Sequence, residues 1–122
     1  MGCDIHCFVE IKKATYWDTW NGCNAINPPR CYDMFAAMAG VRDCGRISRI
    51  CDPRGRPTNC SEEVADYFGE YGVHSESWLT TEEFERAIQN CGGHSSYKAL
   101  LAAMQSLEAD GEIVRLVFAF DS

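Results

Sequence analysis

The sequence predicts a single α+β domain over residues 1–122, in which an antiparallel-rich sheet contains the first and last strands and packs with about four helices. Three observations favour this fold class. A chain of 122 residues can bury one hydrophobic core but not two. Strand-like segments stand near both ends of the chain, and segments with helical periodicity lie between them. Strands followed by helices and a closing strand are typical of α+β domains.

The first predicted element is a strand over residues 4–12, in which one of the two alternating faces is fully apolar. A second strand is predicted over residues 15–20, because they are aromatic and β-branched. Residues 21–30 contain Asn-Gly and Pro-Pro and are expected to form a loop. The apolar face of the first strand carries Cys3, Ile5, Cys7, Val9 and Ile11, and the other face carries Asp4, His6, Phe8 and Glu10.

Apolar side chains recur at helical spacing over residues 32–41, which predicts the first helix. Residues 47–51 are expected to form a short extended piece in a mostly irregular segment. A second helix is predicted over residues 61–71, with Ser61 as its N-cap and acidic residues in its first turn.

Thr80 and Glu83 have the spacing of a capping box, which predicts the start of a third helix that ends near Gly92. Ser95 or Ser96 is expected to be the N-cap of a fourth helix, which ends at residues 109–111.

The last element, residues 112–120, is apolar on both faces, as expected of a central strand that is covered on both sides. The first and last strands are therefore predicted to be neighbours. In this arrangement His74 lies in the loop before the third helix.

The composition excludes several classes of function. The formal net charge of −7 disfavours a surface for duplex nucleic acid, which needs clustered cations. No apolar run is long enough to span a membrane, and the N-terminus lacks a signal peptide pattern, so we expect a cytosolic protein. One basic segment in an acidic chain suits a small phosphorylated ligand. This segment contains Arg42, Arg46, Arg49, Arg54 and Arg56.

Eight cysteines are unusual for a cytosolic chain, but no two have the C-x-x-C spacing of a zinc ribbon or a redox dithiol. Without a secretory signal, a disulfide framework is disfavoured. We therefore expect most of the cysteines to be reduced and to pack as small hydrophobic residues.

Asp4 and His6 are two residues apart on a predicted strand, so their side chains point the same way about 7 Å apart and can hold one metal ion. His74 is the first candidate for a third ligand, with Glu76 or Asp52 behind it. Zinc or manganese would suit these donors. The structural alternative is that Asp4 accepts hydrogen bonds from the backbone and His6 packs at the end of a sheet.

Two segments carry residue types that bind phosphate groups. His74, Ser75, Ser77 and Trp78 precede a helix N-terminus, where anions are favoured, and Trp78 can stack on a base. The alternative is a capping segment in which Trp78 belongs to the core. The second segment is a Gly-Pro loop whose two arginines, Arg54 and Arg56, match phosphate geometry but could equally be solvated. Tyr32 is a further stacking candidate.

The chain also resembles a family in four blocks. These are MGCDIH at residues 1–6, residues 32–42 ending in AGVR, PRGRP at residues 53–57 followed by Ser61, and HSESWLT at residues 74–80. With them the chain is similar to a widespread family of small, uncharacterised bacteriophage and prophage proteins, whose second motif often has a further histidine where this chain has Glu76. The resemblance implies a viral protein in the host cytoplasm.

Phage accessory proteins of this size are commonly anti-defence factors, so the resemblance implies a binding protein. It would sequester a nucleotide-type immune signal through the phosphate-binding and stacking residues named above, or inhibit a host complex such as a CRISPR effector with its acidic surface. The alternative is a small metal-dependent hydrolase, phosphoesterase-like, that uses Asp4, His6 and His74. A homo-oligomer is compatible with either function.

Overall fold

A computed structural model describes residues 2–13, 20–23, 27–92 and 94–121 and confirms the α+β prediction. Within these residues the chain forms four strands and four helices. In chain order they are β1 (Asp4–Lys13), β2 (Asn21–Cys23), α1 (Tyr32–Ala39), α2 (Glu62–Glu70), β3 (His74–Thr80), α3 (Thr81–Cys91), α4 (Ser95–Ala109) and β4 (Glu112–Asp121).

The strands form one antiparallel sheet in the order β2-β1-β4-β3. β1 and β4 pair along their whole length, from Asp4 opposite Asp121 to Lys13 opposite Glu112. The prediction that the first and last strands are neighbours is therefore confirmed. Both are central strands, which explains why β4 is apolar on both faces.

The sheet has two different faces. The apolar face packs against α1, α3 and α4 in one large core. The mixed face, which also carries polar side chains, packs against α2 through Val64 and Phe68. Side chains of β1 and β4 on the apolar face include Ile5, Cys7, Val9, Leu116, Phe118 and Phe120, and those on the mixed face include His6, Phe8, Glu10, Arg115, Val117, Ala119 and Asp121.

Two of the predicted helix starts are confirmed. The Ser61 hydroxyl accepts a hydrogen bond from the backbone of Val64, and Thr80 and Glu83 form a reciprocal capping box. The predicted N-cap of the fourth helix is wrong, because the side chain of His94 caps α4 by accepting from the Ser96 backbone N–H.

Three local predictions need correction. Residues 74–80, which include the predicted loop position His74, form edge strand β3, which contains a bulge and buries only Ser77 and Leu79. Polar residues at an edge hide the alternation that marks a strand. Residues 21–23 form β2 and not a loop, and residues 47–51 are irregular instead of extended. Residues 15–19 of the predicted second strand lie outside the described residues.

Seven cysteines of the described part carry free thiols. Cys3 and Cys7 are fully buried, four others are partly buried, and Cys44 is exposed. Burial raises the pKa of the Cys7 thiol, which keeps it protonated. Separately, none of the described helices combines the length and apolar character needed to cross a bilayer.

Candidate functional site

The two sequence motifs lie at the same end of the sheet. β1 and β3 flank β4 and run antiparallel to it, so both begin where β4 ends. At this end Asp4 is opposite Asp121 and His74 is opposite Phe120. We call this region the sheet end.

Asp4 is held in a two-point ion pair with Arg30. The arginine Nε lies 2.9 Å from Oδ1 of Asp4, and its Nη2 lies 3.1 Å from Oδ2. The Arg30 guanidinium lowers the pKa of the Asp4 carboxyl. Both side chains are about half exposed, so the pair orders the surface more than it stabilises the fold.

His6 connects three elements of the mixed face. Its Nε2 lies 2.6 Å from Oδ2 of Asp121, and its Nδ1 lies 2.7 Å from the hydroxyl of Tyr67 on α2. With the imidazole proton on Nε2, that N–H donates to Asp121 and the Tyr67 hydroxyl donates to Nδ1. Burial raises the pKa of Tyr67, which keeps this hydroxyl a donor. Neither Tyr67 nor Asp121 was a candidate from the sequence, because strand register brings Asp121 to His6 and the docking of α2 brings Tyr67 there.

His74 is not assembled with Asp4 and His6. Its ring lies 6.3 Å from the ring of Phe120, whose side chain belongs to the core of the apolar face, and its Nδ1 contacts the Ser75 hydroxyl at 2.9 Å. Asp4 and His6 project from the mixed face. Within the described part of the chain, no three His, Cys, Asp or Glu side chains are arranged to hold a metal ion. The arrangement therefore gives no support to the zinc or manganese triad.

The predicted phosphate loop packs against β3. The backbone N–H of Arg54 donates to the buried Ser77 hydroxyl at 3.0 Å, and the Arg54 guanidinium lies 4.5 Å from the centre of the Trp78 ring. The same guanidinium makes two hydrogen bonds to Glu83, at 2.8 and 2.5 Å. It lowers the pKa of Glu83 to about 2. The structure thus brings Arg54, Ser77 and Trp78 together. The guanidinium of Arg54 is already paired with the Glu83 carboxylate of the same chain.

The neighbouring guanidinium groups are also engaged. Arg56 forms an ion pair with Glu76 at 3.2 Å and donates to the carbonyl of Ala65. Asp52, a reserve metal ligand in the sequence, pairs with Arg49 at 2.7 Å. A phosphate that used these arginines would have to displace carboxylates of the same chain.

Tyr32 lies beside Cys3 at the sheet end. Its hydroxyl accepts a hydrogen bond from the backbone of Cys3 at 3.2 Å, and the guanidinium of Arg42 lies 5.3 Å from its ring centre. Arg42 and Ser75 each have a φ of 56°, an unfavourable conformation for residues other than glycine.

α2 exposes an acidic ridge, which we define as Glu62, Glu63, Asp66 and Glu70. Its opposite side buries Val64 and Phe68 against the sheet, so the carboxylates point outward. None of the four is ion-paired with any residue of the described ranges. The sequence indicated the first two only as partners of the helix dipole.

Tyr71 stands at the C-terminal end of the ridge. It is 51% exposed, and its ring stacks on Tyr67 at a centroid distance of 4.4 Å. Since Tyr67 is hydrogen-bonded to His6, the exposed ring has a fixed support.

A buried ion pair holds the other end of α2. Arg115 Nη2 lies 2.6 Å from Glu10 Oε1, and Glu10 Oε2 accepts from the Ser61 backbone at 2.6 Å. Glu10 is fully buried, and the Arg115 guanidinium stacks 3.9 Å from the Trp20 ring centre. The N-cap of α2 is therefore tied directly to the two central strands.

A cavity of about 210 Å³ lies beside this ion pair, between β2 and the start of α2. It is lined by Trp20, Asn21, Cys60, Ser61, Glu62 and Glu63.

Comparison with protein-family models, curated proteins and solved structures found no match to this chain.

Proposed function

We propose that the protein is a phage-encoded anti-defence factor that inhibits a host nucleic-acid-processing complex, such as a CRISPR effector. In this proposal the acidic ridge covers a basic surface that the complex uses to hold nucleic acid. The observation that carries it is the asymmetry of charge pairing. Five arginines form ion pairs with carboxylates of the same chain, namely Arg30, Arg49, Arg54, Arg56 and Arg115. The ridge carboxylates have no such partner among the described residues.

The geometry of the ridge supports this function. Glu62, Asp66 and Glu70 recur every four residues, so they project from one side of the helix about 6 Å apart along its axis. A row of negative charges matches a surface that is built to bind phosphates. The exposed ring of Tyr71 adds an aromatic contact, the type of side chain that is enriched in interface hot spots.

The other two functions receive less support. Sequestration of a nucleotide-type signal would need Arg54 and Arg56, whose guanidinium groups contact Glu83 and Glu76. The metal-dependent hydrolase would need a ligand set that the sheet end does not assemble in the described residues.

A plaque assay in hosts that each carry one defence system tests the proposal. Expression of the protein should restore plaques of a sensitive phage in at least one host. Replacing the ridge by Glu62→Gln, Glu63→Gln, Asp66→Asn and Glu70→Gln should abolish this protection. The same variant should fail to compete with nucleic acid for the purified effector, and competition by the wild type should weaken as salt is raised.

The matched control neutralises four exposed carboxylates on the other side of the sheet: Asp33→Asn, Glu82→Gln, Glu108→Gln and Asp110→Asn. Both variants raise the formal charge from −7 by four, so only the position of the charge differs. Equal protection by the ridge variant and the wild type would contradict the proposal. A rise in melting temperature with a nucleotide, lost on replacing Arg54 and Arg56, would favour sequestration instead.

A further inference from the structure

We propose that the cavity at the start of α2 binds a guanidinium group, and that in the inhibited complex this group is an arginine side chain of the partner. The second part rests on the proposed function. The volume of about 210 Å³ is below the range of typical cofactor sites and suits a single side chain. The cavity lies at the N-terminal end of the acidic ridge, so a partner seated on the ridge reaches it.

The lining matches a planar cation. Glu62 and Glu63 supply two exposed carboxylates that have no ion pair within the described residues, and Asn21 adds an amide. Guanidinium groups bind carboxylates through parallel hydrogen bonds and stack on indole rings. Trp20 also lines the cavity, but it is only 8% exposed. Arg115 at 3.9 Å and Lys12 Nζ at 5.2 Å already lie over its ring, so the carboxylates supply the main contacts to a ligand.

Glu10 neutralises the charge of Arg115 at 2.6 Å. The charge of Lys12, whose Nζ lies 5.2 Å from the Trp20 ring centre, is outweighed by the two carboxylates of Glu62 and Glu63. A helix N-terminus alone would favour an anion. Here the two glutamates of the first turn occupy that end and repel anions, so the cavity selects a cation.

The walls are held in place before any ligand binds. Ser61 caps α2 and its backbone donates to Glu10 at 2.6 Å. A Cβ at position 22 would lie 3.2 Å from the Ser61 hydroxyl oxygen and 3.3 Å from a carboxylate oxygen of Glu63, so Gly22 permits the close approach of β2. Preformed walls lower the entropic cost of binding.

Titration with methylguanidinium chloride, followed by two-dimensional NMR of the ¹⁵N-labelled protein, tests the cavity. The indole N–H of Trp20, assigned with Trp20→Phe, and the amides of residues 60–63 should shift and saturate. Methylammonium should bind more weakly, and potassium chloride should give no saturable shift.

Glu62→Gln with Glu63→Gln should weaken methylguanidinium binding at least tenfold, whereas Glu82→Gln with Glu108→Gln should not change it. Non-saturating shifts, or unchanged affinity in the first variant, would overturn the assignment.

The source of the guanidinium is tested with agmatine and a capped Gly-Arg-Gly peptide. Peptide binding as tight as that of agmatine supports a protein side chain, and agmatine binding tenfold tighter overturns that assignment. Failure of this inference is distinguishable from failure of the proposed function. Asp66→Asn with Glu70→Gln removes ridge charge away from the cavity, so its loss of protection would support the ridge even if methylguanidinium did not bind.

Discussion

The two faces of the sheet are stabilised by different interactions. The apolar face is covered by three helices, and its interior is built from aliphatic, aromatic and sulfur-containing side chains such as Phe35 and Phe118. Of the described helices, only α2 covers the mixed face; it buries few apolar side chains there and is tied down by the Glu10–Arg115 pair and the Tyr67–His6 contact. Hydrophobic burial is non-directional, whereas hydrogen bonds specify positions. The mixed face therefore fixes where the acidic ridge stands.

The largest effect should follow from breaking the buried ion pair. Arg115→Met leaves the Glu10 carboxylate buried without its cation, which we expect to lower the free energy of unfolding by about 3–5 kcal/mol. Urea denaturation measures this loss. Combining it with Glu10→Gln removes the uncompensated charge and keeps an acceptor for Ser61, so the double variant should regain most of the stability. A single variant within about 1 kcal/mol of the wild type would contradict this account of the mixed face.

The next effect concerns the edge of the sheet, where Arg54 in the loop of residues 53–57 pairs with Glu83 of α3. The pKa of Glu83 is about 2, below its ordinary value of 4.5, because Arg54 stabilises the carboxylate. Because the pKa is lower in the folded state than in the unfolded state, the ionised Glu83 carboxylate stabilises the fold at pH values above about 4.5. This contribution disappears as the pH falls from about 4.5 to about 2. After allowance for the partial exposure of both side chains, the Arg54–Glu83 pair contributes about 2 kcal/mol to the free energy of unfolding.

Arg54→Met should therefore lose about 2 kcal/mol at pH 6 and nearly nothing at pH 2, as measured by denaturation at each pH. Arg46→Met is the control, because Arg46 is exposed and, among the described residues, its side chain forms a hydrogen bond with the thiol of Cys44 alone. An equal loss at both pH values in the Arg54 variant would show that packing on Trp78, and not the ion pair, is responsible.

The amino-acid sequence predicts the elements of the apolar face better than the contacts of the mixed face and of the sheet edge. Periodicity and capping signals located β1, β4 and the helices, because burial on the apolar face imposes regular spacing. β3 was missed because an edge strand with a bulge need not alternate. The sequence placed the motif segments in one region, but partners such as Tyr67, Asp121 and Glu83 depend on strand register and helix docking, which no local pattern encodes.

A smaller effect is expected where α2 contacts the sheet end. Tyr67→Phe removes the hydroxyl that contacts His6 at 2.7 Å and should lower the free energy of unfolding by about 1 kcal/mol, measured by thermal denaturation. Tyr71→Phe is matched in chemistry but removes an exposed hydroxyl, so it should change stability by less than about 0.5 kcal/mol. Equal losses in both variants would mean that His6 does not anchor α2.

The smallest effect, of opposite sign, is expected on the ridge itself. Glu62, Asp66 and Glu70 are like charges four residues apart, which destabilises a helix by about 0.2–0.5 kcal/mol per pair. Asp66→Asn with Glu70→Gln should therefore raise the melting temperature slightly at low salt, and the gain should shrink as salt screens the repulsion. The control variant, Asp33→Asn with Glu82→Gln, removes two negative charges that interact favourably with the positive N-terminal ends of α1 and α3. This variant should therefore have a lower melting temperature. Stabilisation of the ridge variant together with loss of protection would mean that these carboxylates serve binding at a cost to stability. A destabilised ridge variant would instead assign them a structural role.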